Sequence, residues 1–303
     1  MKKAFTMIEL VMVIVVMGIV ASIGADIIAN LYNNYLKTRS INRLQAQTEA
    51  VLDQVAKRLK YRIKDSVIAK KVNAFVALPD ATENHNIIEW IGKSNESFLG
   101  EHNGTRVVPG WSGFIDLHNF NETNSSAKTL KTNGSNLNYA NNIISALSYG
   151  SVDLNKTSNK QRPAIIFKGK DSYNVSNYGW SGNGAVATDG NYTYKVVMSN
   201  TDTLEINGTT MPNTIYEQYD LAWSAYAIVP VSTGNDFNIT LFYNYQPWEN
   251  ENYTDGNSSV LIEHASTFRF TQIGETIRIK LCINDDNRSG DYNFAFCKEK
   301  VVF

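Results

Sequence analysis

The longest unbroken apolar pattern lies near the start of the chain. From Leu10 to Ala25, "LVMVIVVMGIVASIGA", sixteen consecutive residues carry no charge, and Phe5, Met7 and Ile8 extend the stretch toward the N-terminus. A helix of about twenty such residues, rising about 1.5 Å per residue, crosses a hydrocarbon core of about 30 Å. Lys2 and Lys3 precede the run and are expected on the cytoplasmic side. Unlike a secretory signal, the run is not followed by a small-x-small cleavage site and a turn. Past Asp26 the apolar positions narrow to a stripe: Ile41, Leu44, Leu52, Val55, Leu59, Ile63 and Val67 recur at three, four or eight residues. No proline precedes Pro79, so the pattern predicts one helix from about residue 5 to about residue 70. Its first part (5–26) is apolar on all sides; its continuation (27–71) needs a partner along one face. Gly18 and Gly24 each weaken such a helix by about 1 kcal/mol relative to Ala and permit bending or close helix approach.

Beyond residue 72 the helical period disappears, and short apolar runs alternate with Asn, Ser, Gly and Thr. "IIEWIG" (87–92), "GWSGFIDL" (110–117), "PAIIF" (163–167) and "YTYKVVM" (192–198) read as strands or strand edges. Residues 118–160 are Asn/Ser-rich and read as an irregular surface insertion, with a short helix at "NNIISALS" (141–148). The period-two pattern is clearest in "FNITLFYNY" (237–245), "SVLIEHASTFRFTQI" (259–273), "ETIRIKLCI" (275–283) and "NFAFCKEKVVF" (293–303), with a tight turn at Gly274. The expected class is α+β: a long N-terminal helix whose amphipathic half packs on an antiparallel C-terminal sheet at about 237–303, within a head spanning 72–303.

Charge is unevenly distributed. Residues 1–71 hold 12 basic and 5 acidic side chains, a balance of +7; residues 72–303 hold 16 and 24, a balance of −8. A basic stalk below an acidic head fits a segment near anionic lipid, or a long helix solvated by its charges. Cys282 and Cys297 lie in adjacent expected strands around an Asp/Asn/Gly turn; a disulfide fits, with two buried thiols as the alternative.

Candidate chemistry is sparse. His85, His102, His118 and His264 lack metal-ligand spacing, and no nucleophile elbow, phosphate loop or zinc-protease helix occurs. Glu89 and Asp116 are isolated acids among aromatics, open to a sugar-binding or acid/base reading. "NDDNRSGDYN" (284–293) offers Asp285, Asp286 and Asp291 as weak calcium ligands, although such a stretch also makes an ordinary turn. No other cofactor is expected. Eight Asn residues stand in Asp/Glu-x-Asn-x-Ser/Thr, namely Asn103, Asn124, Asn155, Asn191, Asn207, Asn238, Asn257 and Asn287, a pattern that resembles the acceptor sequence of bacterial N-glycosylation and that an Asn-rich head also produces by chance. Trp180, Trp223, Tyr226, Tyr243, Tyr245 and Trp248 are candidates for a recognition patch or for core. No basic stripe with interleaved aromatics runs through the head, so nucleic acid is not expected there; nor is a small-molecule substrate expected.

The segment "KKAFTMIELVMVIVVMGIVA" resembles the N-terminus of type IV pilins and type II secretion pseudopilins: a basic leader, a small residue, then Phe5, Thr6, Ile8 and Glu9 opening an apolar helix. The resemblance covers about thirty residues. It implies cleavage by a prepilin peptidase between Ala4 and Phe5, methylation of the Phe5 amine, and insertion in a bacterial inner membrane with the head in the periplasm. It also implies partnership with sister subunits and an assembly platform. Ala4 departs from the family's usual Gly before the cut. An unpaired carboxylate in lipid costs at least a few kcal/mol; a new ammonium at Phe5, one helical turn away, would offer Glu9 a partner, in its own subunit or a neighbour's. The large head and the late "FRF…G…IRIKLCI" run are similar to large minor pseudopilins of the J type and minor pilins of the W type. Set against this are a single-pass anchored binding protein that never polymerises and a sugar-active protein on a stalk.

Overall fold

The computed structural model describes residues 6–71, 74–102, 107–119, 129–169, 174–180, 192–207, 212, 214–234, 236–285 and 295–303, without the side chains of 102 and 119. Helix α1 (Met7–Lys60) has 54 residues and is about 80 Å long. The chain continues through β1 (Ile68–Lys71), β2 (Ala74–Ala77), β3 (Ile87–Lys93), the one-turn α2 (Asn95–Phe98), the short pair β4 (Glu101–His102) and β5 (Val107–Val108), β6 (Thr129–Lys131) and α3 (Leu137–Leu147). There follow β7 (Ala164–Phe167), β8 (Tyr194–Asn200), β9 (Thr203–Ile206), β10 (Tyr219–Ser232), β11 (Phe237–Tyr245), β12 (Asn257–Ile273), β13 (Thr276–Asn284) and β14 (Ala295–Val302). The main sheet runs β14-β13-β12-β11-β10-β7-β8-β9-β6, with β3, β1 and β2 joined to it through β10, and its strand pairs are antiparallel.

This is the expected α+β arrangement. Leu44, Val51, Leu52, Val55 and Leu59 bury one face of α1 against Phe268, Ile277, Ile279 and Leu281 of the C-terminal strands and against Ile88 and Trp90 of β3. Strand β3 is covered on both faces. Ile88 and Trp90 join the core under α1, while Ile87 and Ile91 join Trp180, Tyr245 and Trp248 on the other side. Gly92 lets the Tyr226 ring pass: a Cβ there would lie 2.4 Å from a ring carbon.

Four departures from the sequence pattern have identifiable causes. The stripe continues to Val67, yet α1 stops at Lys60. There the sheet offers better partners: Ile63 N–H donates to Ile91 O at 2.9 Å, and Lys93 N–H to Tyr61 O at 2.8 Å. Ile63 and Val67 remain buried, but from a turn rather than from the helix.

Residues 110–117 form no strand. Gly113 turns the chain at φ 76°, and the stretch reaches the sheet through an isolated bridge, Phe114 to Gln218, and a hydrogen bond from Asp116 N–H to Lys131 O of β6. The described part of 118–160 is a second core rather than a surface insertion: Leu130, Leu137, Ala140, Ile144, Val152 and Leu154 are each fully buried. Its asparagines serve the backbone. Asn136 caps α3 by accepting from Tyr139 N–H, and Asn141 Oδ1 accepts from Leu154 N–H at 2.7 Å. The expected C-terminal sheet also extends backward to β10, whose Ala-rich run is buried on both faces and lacks alternation.

Candidate functional site

The apolar start of α1 stands clear of the head. None of the residues in its most apolar stretch is buried, and the segment is long and apolar enough to cross a membrane once. Leu10, Val13, Ile14, Met17 and Ile23 are all at least half exposed, although they point in different directions around the helix. At its N-terminus Thr6 is extended and Glu9 occupies the third helical position. The Glu9 carboxylate accepts from Thr6 N–H at 3.1 Å and from Thr6 Oγ1–H at 2.9 Å. It therefore satisfies an N–H that helix geometry leaves open and places negative charge at the positive end of the dipole. Ala4 and Phe5 lie outside the described residues.

Where α1 meets the head, a line of polar contacts fixes it to the sheet edge. Lys298 and Lys300 of β14 point toward the helix and pair with Glu49 at 2.8 Å and Asp53 at 2.7 Å. The Lys300 contact holds the exposed Asp53 carboxyl below its usual range. Arg62, just past the helix, donates to Leu59 O, Glu275 O and Phe303 O, tying the helix end to both the β12–β13 turn and the last residue.

Asp285, a weak calcium candidate, is fully buried and faces α1 instead. Its Oδ2 accepts from Ser40 Oγ–H at 2.5 Å, and its Oδ1 lies 3.3 Å from Arg43. Both oxygens are thus engaged by the helix. Asp286 and Asp291 lie outside the described residues. Sequence reasoning missed Ser40 and Arg43 as its partners; the available signal was an acid one residue beyond an alternating strand and two helix-compatible polar groups on the stripe's flank.

Cys282 and Cys297 form a disulfide between directly opposed residues of β13 and β14, with Cα atoms 4.0 Å apart. They lie on the sheet face turned away from α1, because Ile279, Leu281 and Ile283 alternate toward the helix-side core.

The candidate recognition aromatics do not form a surface patch. Trp180, Trp223, Tyr245 and Trp248 are buried, and Tyr226 stacks on Trp90. Trp180 Nε1–H donates to Ser66 O at 2.8 Å, and Trp248 Nε1–H to Arg162 O at 2.8 Å, so each ring is anchored at its polar atom. Glu89 and Asp116 do not converge. Glu89 is buried beside Lys70, 3.2 Å away, and accepts from Tyr245 Oη–H at 3.3 Å. Asp116 accepts from His118 N–H and from Asn133 Nδ2–H near β6.

Among the other candidates, His85 Nδ1 lies 3.1 Å from Thr82 N–H, and His264 Nδ1 lies 2.8 Å from Asp236. Of the eight acceptor-like asparagines, Asn155 folds onto Thr157, Asn238 is half-buried in β11, and Asn207 and Asn257 are exposed. Asn103, Asn124, Asn191 and Asn287 lie outside the described residues. No family model, no curated protein and no solved structure matches the chain.

Proposed function

We propose that the protein is a minor subunit of a type IV pilus or type II secretion pseudopilus, and that the start of α1 is its assembly element. The observation that carries this reading is an apolar helix, exposed around its whole circumference, with Glu9 in its first turn. Two surroundings suit such a helix: the hydrocarbon of the inner membrane before assembly, and sister helices in a filament afterwards. In this reading a prepilin peptidase cuts between Ala4 and Phe5, and the Phe5 amine is methylated. Thr6 then becomes the second residue, so the Thr6–Glu9 hydrogen bonds survive processing and hold the carboxylate at the helix tip. There it meets the Phe5 amine of its own or a neighbouring subunit, which sets the axial stagger. The work is assembly: the head sits in the periplasm, where its disulfide is stable, and force comes from a separate ATPase through the assembly platform.

One observation favours a second reading, a single-pass anchored periplasmic binding protein. Thr6 alone gives Glu9 two hydrogen bonds, so the carboxylate has partners without any neighbour. Glu9→Ala separates the two. With the sister subunits present, filament assembly expects the variant in the membrane fraction and absent from sheared filaments. Recovery in sheared filaments at the wild-type level would contradict it.

A further inference from the structure

The region beyond residue 72 carries 16 basic and 24 acidic residues, yet where α1 ends the balance is locally basic. Where α1 ends, a cleft of about 510 Å³ opens between the helix terminus, β3 and β7. Lys60, Lys64, Lys93 and Lys168 line it together with Tyr61 and Phe98. A second cleft of about 300 Å³ adds Lys57 and Arg58 and shares Tyr61 and Lys93 with the first. Arg62 lines the first cleft as well; five of the seven basic side chains, Lys57, Arg58, Lys60, Arg62 and Lys64, lie in one run around the helix end, and the fold brings Lys93 and Lys168 beside it.

We infer that these joined clefts dock an acidic polypeptide segment. The carboxylates already present are few and are shared. Asp220 serves both Lys93 at 2.8 Å and Lys168 at 3.3 Å, so one acid faces two ammonium groups. Lys64 pairs with Glu275 outside the cleft. Lys60 and the helix-borne Lys57 and Arg58 stand at the negative end of the α1 dipole, where they also stabilise the helix.

Two features favour separated carboxylates over a polyphosphate. Asp65 and Asp220 in one cleft and Glu96 in the other would repel a continuous phosphate chain, whereas spaced acidic side chains can avoid them. The aromatic faces are also occupied. Lys60 Nζ lies 6.0 Å from the Tyr61 ring centre and Lys93 Nζ 5.4 Å from that of Phe98, which leaves little ring face for nucleobases to stack on. Tyr61 and Phe98 instead wall the clefts for the aliphatic stems of Glu or for apolar neighbours of the acids. This inference does not depend on the filament reading.

The test uses the full chain in detergent micelles at low salt, with a ten-residue oligoglutamate peptide as probe and a single-stranded oligodeoxynucleotide of equal net charge as competitor. Docking of an acidic segment expects saturable peptide binding that weakens with salt. It also expects about tenfold weaker binding by the double variant Lys60→Glu/Lys168→Glu. Lys71→Glu, at the exposed end of β1 outside both clefts, should bind as the wild type does, and unchanged thermal melts would show that the double variant is folded. Absence of saturable binding, equal binding by the double variant, or preference for the oligonucleotide would each overturn the proposal.

Discussion

Glu89 shows what a single buried side chain does to this fold. It lies mid-strand in β3, faces Lys70 and Tyr245, and has Tyr253 nearby; burial raises its carboxyl more than Lys70 and Tyr245 lower it. A raised carboxyl stabilises the folded state fully below its unfolded value, here near the ordinary 4.5, and that contribution is lost as pH climbs through the folded value. Relative to Glu89→Gln, which cannot ionise, the wild type should therefore lose stability as pH rises above 4.5. Denaturant unfolding of both proteins across that range measures the difference; a constant difference would contradict the account. The Arg162–Asp153 pair is as buried, at 2.8 Å, and Arg162 also donates to the carbonyls of Asn155 and Ser158. Asp153→Ala strands that guanidinium and should destabilise by about 3 kcal/mol in the same assay. Neither role was legible beforehand. In sequence, Glu89 was an acid among aromatics, and nothing local says whether such an acid faces a ligand or a distant lysine such as Lys70. The aromatics were ambiguous for the same reason: Trp180 and Trp248 spend their polar atoms on backbone carbonyls that only the folded chain brings near.

At the level of elements, legibility followed periodicity. The stripe on α1 and the alternation in β11 to β14 were readable because one face of each is buried and the other is wet. Strand β10 was not, since burial on both sides erases the period-two signal and Pro230 further disguises it. The end of α1 was misread because spacing by four continues past Lys60, while the deciding hydrogen bonds come from β3. The disulfide was readable, because alternation marked the strands and the Asp/Asn/Gly composition between them suggested that they pair. Closing a separation of 15 residues stabilises by about 3 kcal/mol in the chain-entropy model. Cys282→Ser/Cys297→Ser should lower stability by about that amount, and hydrogen exchange should quicken first in β14, the sheet's edge. Uniform exchange across the sheet would speak against an edge staple.

For the whole molecule, α1 belongs to two bodies at once. Its second half supplies the floor of the head's core, so a soluble head must retain it. Residues 36–303 should fold as a cooperative unit, whereas 72–303 removes Leu44, Val51, Leu52, Val55 and Leu59 from the core and should be soluble only as a loosely packed or aggregating chain. Circular dichroism melts of the two fragments check this; a sharp, native-like melt of 72–303 would show that the helix is dispensable. The first half of α1 has no such partner among the described residues, and the proposed function assigns it a membrane and then a bundle of sister helices. That assignment requires a trimmed N-terminus, because only cleavage after Ala4 places an amine one turn from Glu9. Intact-mass and N-terminal peptide analysis of the protein purified from its host membrane tests this most directly. The account predicts a chain beginning at methylated Phe5 with the apolar helix retained. A chain beginning at Met1, or one that has lost the apolar segment, would contradict it.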